Sequence, residues 1–387
     1  MKEIKVGFST RILPEYRVPV YLELSKRNGI KLIAYFGKGT KTGASKNANN
    51  YSGLRIRKLF TLQVPFVRNI YRVWHPTLLF YLIKNNNDVI IVEPTTNMFN
   101  NIFTFLYCKM FRKKFIWYEA GGAQDYSKLR RILRPLEKIM IYNSDAFITY
   151  NSSGDEYLVS LGQERRKIFR AQNTVDTTHA EEQLQKYCEL AFKEKETLRL
   201  NNYFILNYTG GVEKRKKLEL LFDAVKYVEL ENLNIACFIV GDGPALEFYK
   251  QYVKEKNISN VYFWGRKIED VHKYFAMSDL CILPSEGGLL INDAFSVGKP
   301  IIVTEEAVSG GKSVQDYITN GNNGFLIEKN NSLELSRIIK QIMLDKELYN
   351  KLCGGSSRSN NIFSIKNMVD GIEKAINFAI DSKKIPL

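Results

Sequence analysis

The sequence predicts an α/β protein in which two domains are each built from strand–helix units. Its 387 residues exceed what one ordinary hydrophobic core organises, and this length suits two domains. Short apolar runs typical of buried parallel strands are repeatedly followed by amphipathic helical segments. In the C-terminal half, three of these strand-to-helix junctions also carry glycine turns.

The N-terminal half is predicted as a series of βα units. The predicted elements are strands at 3–8, 30–36, 88–93, 114–118 and 146–150, with helices at 18–26 and about 99–111. Pro19 fits the first helix because the first turn tolerates its missing N–H. Residues 181–199 turn polar and helical, which predicts a linker between a domain at 1–180 and a domain at 200–364. Residues 365–387 are predicted to contain a terminal helix.

A glycine turn ends the strand predicted at 202–208. Gly210 and Gly211 are followed by the block EKRKK, which leads into an amphipathic helix. Glycine lets backbone N–H groups approach an anion, so Arg215 and Lys216 beside the turn can meet a diphosphate. The alternative interpretation of these cations is a solvated helix face.

The most informative segment is LPSEGGLLINDAFSVGKPII at 283–302, which runs from a strand into a helix. Its glycine pair leaves room for backbone N–H groups to contact an anion. Glu286 and Asp293 are seven positions apart, two helical turns, and lie on roughly the same face. This arrangement suits a nucleotide sugar. The alternative is an ordinary βα turn capped by Ser285, with two surface acids.

Four motifs in the C-terminal half occur in an order typical of one enzyme family. They are Gly210-Gly211-Val212 to Lys216-Lys217, Val240-Gly241-Asp242-Gly243-Pro244, Asn260-Val261-Tyr262-Phe263-Trp264-Gly265, and the segment at 283–302. The chain resembles the large retaining GT-B glycosyltransferase family 4 (glycosyl transferases group 1). That family shows G-R-L-x-x-x-K-G, V-G-x-G-P, N-V-x-F-x-G and P-S-x-x-E-G-F-G-L-x-x-x-E-A in this order. Residues 171–176 and 316–326 resemble its interdomain segment and its closing turn.

The chain departs from the family pattern in two places. Gly211 stands where the family has a diphosphate-binding Arg, so phosphate neutralisation is left chiefly to Lys216. Six residues lie between Glu286 and Asp293, whereas seven lie between the two acids of the family. Either Glu286 keeps the first acidic role after a deletion, which we prefer, or Ser285 occupies that position. By resemblance, Asp293 holds the nucleotide ribose.

The resemblance implies a GT-B fold, with two Rossmann-like domains facing one another across a cleft. It implies transfer of a hexose or N-acetylhexosamine from a nucleotide diphosphate sugar, as co-substrate, to a hydroxyl of a lipid-linked surface glycan such as lipopolysaccharide or capsule. Retention of anomeric configuration without a metal is implied as well, and the sequence contains no D-x-D pattern. The alternatives are a GT-B epimerase or phosphorylase, and a donor-binding protein without transfer activity.

The resemblance and the strand-end positions together define a set of candidate site residues. The candidate catalytic residues are Glu286, Lys216 and Glu119. The candidate donor-binding residues are Gly210, Gly211, Arg215, Lys216, Gly265, Arg266, Ser285, Glu286, Gly287, Gly288, Leu289, Leu290 and Asp293. The candidate acceptor-side residues are Arg11, Arg17, Glu119 and Gly121.

The acceptor-side candidates follow predicted strands in the N-terminal half, at the sheet edge where open α/β folds bind ligands. Arg11 and Arg17 flank the loop after the first strand, where they contact an acceptor or are simply exposed. Glu119 follows the strand KFIWY, at a position where many relatives place an acceptor-side His. It is a base or orienting group, or a strand-end Glu beside a turn.

Charge is distributed unevenly along the chain. Residues 1–180 contain 29 Lys and Arg against 13 Asp and Glu, a net +16, and the remainder contains 27 against 28, a net −1. In a GT-B enzyme the N-terminal half receives the acceptor, so the asymmetry predicts an anionic partner such as a membrane surface or lipid-linked phosphate. Nucleic acid is the rival, but no recognisable nucleic-acid module is present.

The aromatic helix at 99–111 bears on the same question. With Arg112 to Lys114, and with Lys128, Arg130, Arg131 and Arg134 beyond it, this segment suits a basic and aromatic membrane face. The alternative for residues 103–111 is a core helix with charged flanks.

Location is predicted as cytoplasmic, peripheral at the inner face of the membrane. The start MKEIKVGFST enters a strand-like run rather than a signal peptide, and no apolar stretch reaches the length of a membrane span. The five cysteines are scattered without metal-ligand spacing, which is typical of a reducing compartment.

Overall fold

The computed structural model describes residues 3–38, 47–67, 70–93, 98–119, 128–178, 180–267, 270–285, 287, 289–305, 314–327 and 331–382. Two compact units divide the chain. The first contains Met1–Asp176 and Ile365–Leu387, and the second contains Thr177–Ser364.

The first unit is a parallel sheet covered by helices. Its elements are β1 (Ile4–Ser9), α1 (Val18–Ser25), β2 (Ile30–Phe36), β3 (Ile56–Lys58), β4 (Leu62–Val67), β5 (Ile70–Trp74), α2 (Leu78–Asn85), β6 (Val89–Val92), α3 (Met98–Met110), β7 (Lys114–Glu119), α4 (Lys128–Tyr142), β8 (Ala146–Thr149), α5 (Ser152–Ser160), β9 (Ile168–Arg170) and α14 (Ile365–Asp381). The strand order is β3-β2-β1-β6-β7-β8-β9, and every pairing in it is parallel. The central strands are continuous apolar runs because helices cover both faces of such a sheet.

Helix α14 completes one face of the first sheet. Its buried side chains, including Val369, Ile372 and Ile376, join the core under β1 and β8. The helix approaches β9 so closely at Gly371 that a Cβ there would overlap the Arg170 carbonyl. At the rim, Arg27 of the segment after α1 pairs with Asp370 at 2.8 Å and with Glu373 at 3.5 Å. The end of the chain is therefore part of the first unit.

The second unit repeats the same architecture. Its elements are α6 (Ala180–Thr197), β10 (Phe204–Thr209), α7 (Leu218–Glu229), β11 (Ile235–Val240), α8 (Leu246–Glu255), β12 (Val261–Gly265), α9 (Val271–Met277), β13 (Leu280–Leu283), α10 (Leu289–Ser296), β14 (Ile301–Thr304), α11 (Val314–Tyr317), β15 (Gly324–Ile327), α12 (Ser332–Leu344) and α13 (Lys346–Ile362). The parallel strand order is β12-β11-β10-β13-β14-β15, the doubly wound arrangement of a Rossmann fold.

Most predicted elements are confirmed with small shifts at their ends, including the terminal helix at 365–381. The predicted linker at 181–199 lies in the second unit, and its residues up to 197 belong to α6, where Ala191 is buried and Glu194 pairs with Lys273 at 2.6 Å. Residues 54–87 received no prediction and contain β3, the β4–β5 hairpin and α2. Pro65 argues against a strand, but β4 pairs only with β5 and so tolerates the proline.

Candidate functional site

Each unit has one point where the order of its strands reverses. In the second unit the reversal lies between β10 and β13, and in the first unit between β1 and β6. Loops that leave neighbouring strands in opposite directions open a crevice outside the carboxyl ends of the strands, and ligands of open α/β sheets bind there. The candidate residues are therefore described at these two switch points.

Backbone atoms build one side of the switch point in the second unit. The Gly210 N–H donates to the Val240 carbonyl at 3.0 Å, and the Val212 N–H donates to the Asp242 carbonyl at 3.0 Å. The loops after β10 and β11 thus stay joined beyond the ends of their strands. Gly241 permits this approach, because a Cβ at that position would overlap the Gly210 carbonyl. The backbone contact between these two loops accounts for glycine at position 241.

The cations after the glycine turn lie in a short 3-10 turn, Lys214–Lys216, ahead of α7. Arg215 donates from Nε to Glu213 Oε2 at 2.7 Å and from Nη2 to Oε1 at 3.1 Å, and these bonds lower the pKa of the Glu213 carboxyl. Lys214 lies over the Phe248 ring at 4.5 Å. The charge of Arg215 is therefore paired within its own loop, and Lys216 is half-buried in the same turn.

Ser285 connects the loops of the two central strands. Its Oγ donates to the Arg215 carbonyl at 2.8 Å, and only 2% of the residue is exposed. The loop after β13 is thereby fastened to the loop after β10, across the switch point. Gly287 follows with a backbone so close to Leu283 that a Cβ would lie 2.6 Å from its Cδ1. Ser285 and Gly287 thus have structural reasons for being small.

Asp293 lies on α10, in the helix that starts at this switch point. Burial raises the pKa of its carboxyl to about 7. Leu290, predicted to contact the donor, is 6% exposed, and its side chain packs in the core of the unit. Its place in the motif reflects packing of α10 on the sheet.

Other predicted donor residues lie farther from the switch point, at the end of β12, or lie outside the described residues. Gly265 ends β12, next to β11, and Arg266 is exposed directly after it. Glu286, Gly288 and Gly121 are not among the described residues, and of Leu289 only the backbone is described. The structure thus groups Gly210, Gly211, Arg215, Lys216, Ser285 and Gly287 after the ends of β10 and β13, and it places Asp293 on α10, the helix that follows β13.

At the switch point of the first unit, side chains rather than glycines meet. Thr10 follows β1, and its hydroxyl donates to Glu93 Oε2 at 2.7 Å. The Tyr150 hydroxyl, beyond β8, donates to Glu93 Oε1 at 3.4 Å. Glu93 directly follows β6 and is half-buried. Glu93 was not predicted as a site residue, because the sequence DVIIVE is typical of a buried strand. The strand order alone brings Glu93 beside Thr10.

Arg17 reaches the same group of side chains. Its guanidinium lies over the Tyr150 ring at 4.9 Å and over the Tyr16 ring at 5.4 Å, and its Nη1 donates to Met368 Sδ at 3.8 Å. It is half-buried rather than simply exposed. Arg11 is also half-buried, and its carbonyl accepts from the Gly37 N–H at 3.1 Å.

Glu119 ends β7 and is 2% exposed. Its Oε2 accepts from the indole Nε1 of Trp117 at 3.0 Å, and its carbonyl accepts from the Tyr150 N–H at 3.2 Å. Trp117 is fully buried in the core beneath the sheet. These contacts favour a positioning role for Glu119 over that of a base in contact with substrate.

Comparisons with known proteins are consistent with this geometry. Residues 191–353, which include the whole switch point of the second unit, match the family described as "Glycosyl transferases group 1". An uncharacterized glycosyltransferase of Methanocaldococcus jannaschii is 26% identical over 171 residues, covering 43% of this chain and 46% of that protein. The lipopolysaccharide 1,2-N-acetylglucosaminetransferase of Salmonella typhimurium is 26% identical over 161 residues, 37% of this chain and 40% of that protein. Each match spans less than half of the relative.

Solved structures resemble the chain over nearly its full length. The crystal structure of Anabaena HepE in complex with UDP has a TM-score of 0.71 at 14% identity, covering 97% of this chain and 100% of that chain. At this identity the likeness shows the fold, and the predicted GT-B fold is confirmed. Within the described parts of the chain, no helix is both long and apolar enough to cross a membrane. Nor do three His, Cys, Asp or Glu side chains among those residues group as metal ligands.

Proposed function

We propose that this chain is a glycosyltransferase, because residues 191–353 match glycosyl transferases group 1, and that it transfers a hexose or N-acetylhexosamine from a nucleotide diphosphate sugar to a hydroxyl of a surface glycan. The proposed acceptor is lipid-linked. The reaction retains the anomeric configuration and needs no metal ion.

One observation carries this proposal: the hydrogen bond from Ser285 to the Arg215 carbonyl. It holds the glycine turn after β10 against the glycine turn after β13, at the position in the sheet where a diphosphate meets backbone N–H groups. Lys216 supplies the positive charge that the leaving diphosphate needs. Preorganised donors of this kind act on charge that develops in the transition state, and in a site shielded from water they are most effective.

Under this proposal each acidic residue has a separate role, which for Glu286 and Asp293 comes from the resemblance of the motif. Asp293 on α10 accepts hydrogen bonds from the ribose hydroxyls, and Glu286 orients the hydroxyls of the donor sugar. In the first unit, Glu93 and Thr10 bind the hydroxyl-bearing acceptor, with Arg17 and Tyr150 beside them. An acceptor sugar is neutral at its hydroxyls, so a carboxylate suits it better than a phosphate-binding turn.

The relatives support the choice of substrates. HepE binds UDP, which supports a uridine nucleotide as the donor carrier. The Salmonella relative is an N-acetylglucosaminetransferase of lipopolysaccharide, which supports an N-acetylhexosamine and a lipid-linked surface glycan. The net +16 of residues 1–180 supports a peripheral position on an anionic membrane.

The test is transfer of labelled sugar. The purified chain is incubated with UDP-N-acetylglucosamine, UDP-glucose or GDP-mannose, with lipid-linked glycan from a strain lacking the gene, and with or without EDTA. We expect one donor to label the glycan in EDTA, and NMR of the product to show the anomeric configuration of the donor. Release of free sugar alone, or epimerisation of the donor, would indicate another GT-B activity. Nucleotide binding without turnover would leave a donor-binding protein.

A further inference from the structure

Helix α3 of the first unit carries apolar side chains on two opposite faces. Tyr107 and Cys108 are buried in the core. On the other side Phe103, Leu106 and Met110 recur at helical spacing and are 45%, 51% and 75% exposed. A helix of a water-soluble domain normally has a polar outer face. The outer stripe of α3 is therefore a feature that folding of this unit does not use.

The helices that pack on either side of α3 extend this stripe. On α2, Phe80 is 60% and Ile83 is 52% exposed. On α4, Leu136 is 43% and Ile139 is 49% exposed. Helices α2 and α4 both contact α3. We call the outer sides of these three helices the α2–α4 face, and exposed apolar side chains on adjacent helices are typical of an interaction site.

The exposed charges that the structure describes on α2, α3 and α4 have one sign. Neither α2 nor α3 contains an Asp or Glu, and Glu137 of α4 is buried. Lys84 lies over the Phe80 ring at 6.0 Å, and Lys109 lies over the Phe105 ring at 5.4 Å. Such cations cover apolar surface with their stems and hold their charge at its edge. The face is thus apolar at its centre and cationic around it.

A cavity of about 110 Å³ opens between α2 and α3. Its lining is mainly apolar and includes Leu79, Leu82, Phe103 and Trp74. His75 also lines it, and burial lowers the pKa of this imidazole to about 4, so it is neutral there at physiological pH. The cavity therefore offers apolar space without a charge.

We propose that the α2–α4 face docks the chain on an anionic lipid bilayer, with its apolar side chains at the boundary between headgroups and acyl chains and its cations at the lipid phosphates. This inference rests on the proposed function in that a lipid-linked acceptor requires work at a membrane. Anionic headgroups complement the cations, and the acyl region accepts the apolar stripe. A second copy of the chain fits less well, because a symmetric contact would bring like charges together.

The experiment is sedimentation of the full chain with vesicles of equimolar phosphatidylglycerol and phosphatidylcholine, and with phosphatidylcholine alone. The variant Phe103→Ser/Leu106→Ser/Met110→Ser removes the apolar stripe of α3. The matched control, Leu190→Ser/Phe192→Ser/Leu344→Ser, removes side chains of the second unit that are 52%, 62% and 69% exposed. We expect the wild type to bind the anionic vesicles, the α3 variant to bind at least about tenfold more weakly, and the control to bind like the wild type.

The salt dependence of binding separates the electrostatic contribution to this docking from the apolar contribution. At about 1 M salt the Debye length is about 3 Å, so attraction by charge is largely screened. We expect wild-type binding to fall but to remain above that of the α3 variant, because apolar contact is not screened. Equal binding of the α3 variant and the wild type at low salt would overturn the proposal. Failure of the wild type to bind anionic vesicles would also overturn the proposal. A concentration-dependent dimer that the α3 substitutions abolish would overturn it in favour of a second copy of the chain.

Binding of UDP and transfer to a water-soluble acceptor, both measured without vesicles, keep this test separate from that of the enzyme activity. Vesicle binding without any transfer would contradict the proposed function and leave the docking surface intact. Transfer without vesicle binding would contradict the docking surface alone.

Discussion

The two units share a strand order, yet the residues at their switch points differ in chemistry. In the second unit, the glycine turns after β10 and β11 are joined by backbone hydrogen bonds on one side of the point between β10 and β13. In the first unit, Glu93 is held between the hydroxyls of Thr10 and Tyr150 beside β1 and β6. Backbone N–H groups suit an anion, whereas a carboxylate suits a hydroxyl donor. We therefore expect one topology to provide two sites of opposite chemical preference.

Replacing Lys216, the cation proposed to neutralise the diphosphate in the second unit, is the strongest test of this contrast. Lys216→Ala is expected to lower kcat/KM by about 100-fold, on the order of 3 kcal/mol, because the leaving diphosphate loses its positive partner. Steady-state kinetics with the labelled donor measures it. Lys214→Ala is the control, since that lysine lies over Phe248 in the same turn. Activity of Lys216→Ala within about threefold of wild type would remove Lys216 from the site.

Replacing the carboxylate of the first unit tests the other half of the contrast. Glu93→Gln is expected to lower kcat/KM for the acceptor about 30-fold, or about 2 kcal/mol, because a charged hydrogen-bond acceptor is lost. Binding of UDP, measured by calorimetry, should stay unchanged, since the proposed donor site lies in the second unit.

The matched control for Glu93→Gln is Glu164→Gln, an exposed carboxylate of the same unit that pairs with Arg166 at 2.6 Å. It should have wild-type kinetics. An equal loss of UDP affinity in Glu93→Gln would mean that the two switch points do not have separate ligands.

The pH dependence of the free energy of unfolding tests Asp293 at the switch point of the second unit. Its pKa of about 7 in the folded chain lies above that of an unfolded Asp, so the folded state binds more protons and stability falls as pH rises from about 4 to 7. Asp293→Asn removes this loss. Since the residue is only partly shielded, we expect the variant to gain about 1.5 kcal/mol over wild type at pH 8.

Urea unfolding of both proteins at pH 4 and pH 8, without nucleotide, measures the effect of Asp293→Asn. The difference between them should be near zero at pH 4. A constant difference at the two pH values would show that the carboxyl does not titrate in this range. Asn at this position should also weaken UDP binding, because the amide replaces a carboxylate that accepts two ribose hydroxyls.

The smallest expected effect belongs to Ser285. Ser285→Ala removes one buried hydrogen bond, and we expect a loss of about 1 kcal/mol in the free energy of unfolding. Transfer should continue at a reduced rate, because Lys216 and the loop amides remain. Ser336→Ala, which removes a hydroxyl bond to the Leu333 carbonyl at 2.8 Å in α12, should cost stability without changing kinetics. If Ser285→Ala instead stops transfer, Ser285 rather than Glu286 holds the first acidic position of the motif.

Features that depend on neighbours along the chain were predictable from sequence. The strands and helices follow from apolar runs and helical spacing, and the turns after β10, β11 and β13 follow from glycine. The motif order also indicated the family. The role of Leu290 stays a prediction, because a motif does not separate residues that contact a ligand from those that pack the helix behind it.

Features that depend on tertiary contacts were not predictable. Thr10 and Glu93 are 83 positions apart, and Arg215 and Ser285 are 70 positions apart. Only the strand order brings each pair together. Similarly, the apolar residues of α3 look alike in sequence, and the fold alone decides that Tyr107 is buried while Met110 is exposed.

The sequence by itself thus determined the α/β elements, the glycine turns and the concentration of positive charge in residues 1–180, because each is local or additive along the chain. The tertiary structure decided which strand ends meet, which carboxylate lies at the first switch point, and which face of α3 remains in solvent. Those properties depend on the order of strands and on which helices cover the sheets, and neither is encoded in any single segment.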